Sequence, residues 1–169
     1  MSGERQTGDV RIYLPATLDD LNPSVTGPDG TAGFVGTGPW RVHAVTDALR
    51  TELPEEDEEG LEFAAQLAAA DDSLLRLAGR PTAPHLRLVL AVDVPAGAVG
   101  AVDDDDAPPS AVTYTGPVTT DDVVSAHVDE VDARADVERA MTGDEHAVER
   151  LAQRHLLWYD ASELVAIPR

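Results

Sequence analysis

Cysteine and lysine are absent from this chain, asparagine occurs once (Asn22), isoleucine twice (Ile12 and Ile167), and aromatic residues make up only 4%. Without thiols there is no disulfide framework, no thiolate nucleophile and no Cys-based zinc or iron-sulfur site, which fits a reducing cytoplasm. Without lysine there is no Schiff-base chemistry and no Walker-type phosphate loop. No apolar run approaches the roughly 18 residues of a membrane span, and the polar opening stretch at 1–9 lacks the order of a signal peptide. Positive charge is also scarce. All 12 basic residues are arginine and face 32 Asp and Glu side chains, leaving a formal charge of -20 on 169 residues. Such a surface repels phosphate backbones and anionic headgroups, so neither nucleic acid nor membrane is an expected partner. GC-rich coding or salt adaptation would give the same acidity without any partner.

The length suits one domain over residues 1–169, burying roughly 70% of the surface its unfolded chain exposes. Ala, Val and Leu must fill the core, because large aromatics are few. Alternation predicts strands at 10–14, ended by Pro15, and at 40–45, 86–94, 112–115 and 123–128, with an edge strand at 156–159. The 86–94 strand, with Leu86, Leu88, Leu90, Val92 and Val94 on one face, should be central. A helix is expected over 55–78, with Phe63, Leu67, Ala70, Leu74 and Leu77 as its buried stripe and Arg76, Gly79 and Pro81 as stop signals. Thr46 should cap a short helix through 53, and two further helices should cover 132–141 and 144–154. The whole reads as α+β: a mainly antiparallel sheet of about five strands with helices packed on it. Two stretches interrupt it. A Gly/Pro-rich loop at 22–39 carries Gly27, Gly30, Gly33 and Gly36 at every third position, too few for a triple helix. An acidic linker at 95–110 carries Asp103 to Asp106, which cannot converge on one cation as alternating ligands do, so a solvated tip is expected.

His127 and Asp129 lie two apart on an expected strand and so on one face, with Glu130 and Asp132 beyond. Imidazole beside carboxylate is the minimal kit for general base catalysis, with the blander reading a strand-end ion pair. The other histidines have no metal-ligand spacing, and His155 reads as core or helix-end packing. No serine sits in a nucleophile elbow, and no cofactor motif or metal site is found. Trp158 and Tyr159, followed by Asp160, stand together in a chain poor in aromatics. Neighbours on an extended segment face opposite sides, so one can enter the core while the other meets a partner. Asp160 with Glu163 has the form of a capping box.

Three stretches carry a resemblance: VRIYLPAT at 10–17, AVTDALR at 44–50, and HVD at 127–129 with LLWYDASEL at 156–164. They resemble a family of short acidic actinobacterial proteins known only as a domain of unknown function. The resemblance implies a cytosolic, GC-rich bacterial setting and brings no catalytic residue, cofactor or substrate. Three functions are therefore weighed. The first is a non-enzymatic regulatory or adaptor protein binding a basic protein partner around Trp158, Tyr159 and Asp160. The second is a small hydrolase using His127 and Asp129. The third is a structural or oligomerising protein whose acidity is genomic or salt-adaptive.

Overall fold

Alternating side chains at the start of the chain build the first strand, β1 (Asp9–Ala16), and a computed structural model describes the protein from there, over residues 8–169. The polar stretch read at 1–9 therefore lies, up to residue 7, outside the described residues. In chain order β1 is followed by β2 (Phe34–Thr37), β3 (Trp40–His43), α1 (Asp47–Glu52), α2 (Glu58–Ala78), β4 (Leu88–Pro95), β5 (Val99–Gly100), β6 (Ala111–Tyr114) and β7 (Pro117–Thr119). Then come β8 (Val123–Val128), α3 (Arg134–Met141), α4 (Glu145–Ala152), β9 (Leu157–Asp160) and a 3-10 turn at Ala161–Ala166. The fold is α+β. Its antiparallel sheet has seven strands, in the order β5-β6-β3-β1-β4-β8-β9, where about five were expected.

One strand of the seven, β5, matches none of the expected ranges, for a plain physical cause. β5 is two residues long, too short to show alternation, and only its pairing of Val99 with Tyr114 and Gly100 with Thr113 makes it a strand. The Gly/Pro-rich region likewise is more than a loop, because β2 pairs with β7 in a separate two-stranded sheet. A Cβ on Gly38 would collide with the carbonyl of Tyr114, so that close approach requires glycine. Pro15 does not end β1, which continues beside β4 with Pro15 opposite Val89. Its missing N–H is tolerated because β3 meets β1 only at Tyr13 and His43.

Period-two alternation gives the sheet two apolar faces. Ile12, Leu14, Leu88, Leu90 and Val92 lie on one, under Val118 of β7 and the C-terminal Leu164 and Ile167. Tyr13, Val89 and Ala91 lie on the other, under Leu61, Ala65, Ala69 and Ala70 of α2. A third cluster joins Leu77 at the end of α2 to Val137 of α3 and Leu151 of α4. The expected stripe on α2 is thus half right. Leu77 and Ala70 are buried, but Phe63 and Leu67 are 46% and 40% exposed, and the buried positions begin instead with Leu61, Ala65 and Ala69. Small side chains there let the helix backbone sit close to the sheet, and turning Phe63 inward would force the two apart. Ser73 fastens the contact. Its hydroxyl donates to the Ala16 carbonyl at 2.8 Å and accepts the Leu88 N–H at 3.0 Å, joining the ends of β1 and β4.

Helix ends follow the local chemistry foreseen for them: Thr46 accepts from the Leu49 N–H, and Asp160 with Glu163 forms a capping box. His155, in contrast, is exposed, because α4 ends at Ala152 and the chain has already turned toward β9. No helix among the described residues is long and apolar enough to cross a membrane.

Candidate functional site

α2 lies over β1, β3 and β4 and leaves the β8–β9 end of the same sheet face uncovered. On that open stretch alternation puts Ser125 and His127 of β8 and Trp158 of β9 on the side of the helix, with His127 directly opposite Trp158. Between them and the first turns of α2 is a cleft of about 520 Å³. Its floor is Arg11, Tyr13, Ser125 and His127, its mouth Phe63 and Trp158, and its helix-side wall carries Asp57, Glu59 and Glu62. A second hollow of about 720 Å³ adjoins it across Arg11, Ser125 and Trp158, and is edged by Asp93, Asp121, Asp122 and Asp160. Trp158 stands between the two, 60% exposed.

The charges within the cleft are largely spoken for. Arg11 grips Asp93 with both nitrogens, Nε at 2.6 Å and Nη2 at 3.1 Å. Burial first, and the positive charge of Arg11 second, push His127 down to about 4, so the imidazole is neutral at pH 7. Its hydrogen-bond partner is the hydroxyl of Ser125, with Nε2 and Oγ 3.3 Å apart.

The structure does not bring His127 and Asp129 together as a dyad. β8 ends at Val128, and the Asp129 carboxylate turns to Arg87, accepting from Nε at 2.9 Å, from Nη2 at 2.8 Å and from the Arg87 backbone N–H at 2.8 Å. Both residues of this pair are buried, Asp129 being 3% exposed, and the Arg87 guanidinium also reaches the Leu151 carbonyl. Asp129 therefore ties β4 and β8 to the end of α4 and has no orienting role toward His127. The register carries on past the strand end, with Asp129 opposite Arg87 on the same face as His127, but the carboxylate is taken by Arg87.

The three residues read as partner-binding take three different places. Trp158 faces the cleft and solvent. Tyr159, opposite Ala126, packs on the other face against the main core. Asp160 is exposed but engaged, since its carboxylate accepts from the Ser162 N–H at 3.0 Å and hydroxyl at 2.8 Å. Those hydrogen bonds hold its carboxyl below the usual carboxylate range.

One arrangement escaped the sequence reading altogether. His43 of β3 bridges Ser110 and Asp72, with Nδ1 2.8 Å from Ser110 Oγ and Nε2 2.7 Å from Asp72 Oδ2. Serine, histidine and carboxylate in a row suggest nucleophilic catalysis, but Ser110 is 2% exposed and the imidazole wholly buried, so no substrate reaches the hydroxyl. Burial alone would raise Asp72, yet hydrogen bonds from His43 and Arg41 outweigh it and hold the carboxylate low. The chain pins the end of the acidic linker to β3 and α2. Residues 67 and 29 positions apart form it, and no local spacing announces such contacts. Arg11, Phe63 and Ser125, also missed, did leave a signal: two are polar residues on strand faces that point at a helix, and one is an aromatic beside a better-packed alanine row.

Among the described residues no group of three or more His, Asp and Glu side chains is gathered to hold a metal ion. A family model described as "Family of unknown function (DUF6912)" matches residues 10–167, and the chain belongs to that family. No curated protein and no solved structure matches it.

Proposed function

We propose that this member of the family is a non-enzymatic regulatory or adaptor protein of the bacterial cytoplasm, binding a basic segment of a protein partner in the cleft between α2 and β9. The observation that carries this is Trp158, a mostly exposed indole over a cleft walled by carboxylates. Exposed indole forfeits hydrophobic stabilisation that a partner's side chain would restore, and Trp is enriched among residues that dominate interfaces. An arginine or lysine laid across its face gains a cation–π interaction of about 0.5–1 kcal/mol at an exposed site. The same cation meets Asp57, which caps α2, and Glu59 in its first turn, while Phe63 takes the apolar stem. Nothing on the floor opposes it: Arg11 is neutralised by Asp93, and His127 is uncharged at pH 7. Nucleic acid, by contrast, is repelled by the -20 charge.

The hydrolase alternative is weaker. A base depressed to about 4, with its neighbouring Asp129 bound to Arg87, is poorly matched to proton abstraction near neutral pH. Capture of partners from lysate at low and high ionic strength tests the binding reading. Basic proteins retained by wild type at low salt should fall away at high salt and from Trp158→Ala at either. Equal recovery under both conditions would remove charge-led binding from consideration.

A further inference from the structure

In so acidic a chain, an arginine without a carboxylate is the anomaly to explain. Arg5 lies outside the described residues, and every other arginine except Arg134, Arg139 and Arg169 forms an ion pair with a carboxylate. Arg139 is exposed and solvated. Arg134 and Arg169 instead line one pocket of about 280 Å³, formed by the loop at 81–85, the first turn of α3 and the last residue of the chain. This pocket shares no lining residue with the Trp158 cleft.

The Nε of Arg134 is buried and has no hydrogen-bond partner. Leaving a buried donor unmatched costs about 1–3 kcal/mol, more for a charged group, and Trp40 Nε1 is the other such atom among the described residues. Arg169 makes one weak hydrogen bond, to the Leu21 carbonyl at 3.3 Å. His85 also lines the pocket, its two ring nitrogens facing the Pro81 carbonyl at 3.1 Å and Glu138 at 3.0 Å. Both are acceptors, so both bonds form together only in the doubly protonated ring. Glu138 is the one acidic side chain in the lining, and it is engaged by His85.

We propose that this pocket binds a small phosphate group, held between the guanidiniums of Arg134 and Arg169. A planar carboxylate matches one guanidinium fork, whereas a tetrahedral phosphate presents oxygens to two that approach from different elements. It also supplies acceptors to the Arg134 guanidinium, which makes no hydrogen bond among the described residues.

Titration of the full chain with inorganic phosphate, at constant ionic strength and read by NMR of the arginine Nε–H groups, tests the assignment. Saturable movement of the Arg134 signal is expected. Arg134→Gln and Arg169→Gln should each weaken phosphate binding about tenfold or more, as loss of a charge-assisted contact implies, while Arg139→Gln leaves it unchanged. Methyl phosphate should bind as inorganic phosphate does if the physiological ligand is a monoester. The proposal fails if the Arg134 signal moves without saturation, if acetate binds as tightly as phosphate, or if Arg139→Gln weakens binding equally. The wild-type titration decides the matter even where a variant does not fold.

Discussion

Replacing Asp129 with asparagine removes one charge of a buried pair and leaves the Arg87 guanidinium buried with its best acceptor neutralised and Asp71 of α2 as the nearby carboxylate that remains. Arg87 and Asp129 are 4% and 3% exposed, and three hydrogen bonds of 2.8 to 2.9 Å link them. Breaking a buried pair by deleting one partner costs about 3–5 kcal/mol, because the surviving charge is left desolvated. For a domain of this size about 2–4 °C of melting temperature accompanies each kcal/mol, so the midpoint should fall by roughly 10 °C. Replacing both residues with apolar ones, Arg87→Met with Asp129→Leu, should recover much of the loss, since no charge then stays buried. Urea denaturation of wild type, Asp129→Asn and the double variant gives all three values. If Asp129→Asn lies within about 1 kcal/mol of wild type, the pair does not join β4, β8 and α4 in the way described, and Asp129 regains its place as a candidate partner for His127.

Ser73→Ala should destabilise the fold by about 1–3 kcal/mol in the same assay, because the Ala16 carbonyl and Leu88 N–H lose their shared hydroxyl; a neutral result would mean water replaces it. His127 should titrate near 4 by NMR, and a value near its ordinary 6.5 would show the cleft to be wetter than described. Its folded value lies below its unfolded one, so the stabilisation is complete above about pH 6.5, declines as pH falls toward 4, and declines no further below that. His127→Phe should therefore flatten the stability profile between those limits relative to wild type.

Local chemistry was legible wherever it was repeated or closed within a few residues. β4 declared itself by the alternating Leu88, Leu90, Val92 and Val94, the Thr46 cap by residue type, and the Asp160 capping box by its spacing of three to Glu163. β5 could not, since two residues hold no period. Hydrophobic size is a poor guide to the buried face of α2, because close packing on the sheet selects alanine and leaves Phe63 outside. The candidate site was half visible. Trp158 stood out by rarity, but Arg11 meets Asp93 across 82 positions and His43 meets Ser110 across 67, distances at which only the fold decides who is a neighbour. His127 and Asp129, two apart and on one face, do not pair because Arg87, 42 positions away in sequence, takes the carboxylate.

The chain has two tryptophans, so in a Trp40→Phe background the emission reports Trp158 alone. Titrating that protein with a short arginine-rich peptide tests the proposed binding face most directly. A saturable change in emission is expected at low salt, one that weakens as salt rises and that a glutamate-rich peptide of equal length does not produce. An indole signal indifferent to the basic peptide, or one that responds alike to both peptides, would contradict the proposed binding.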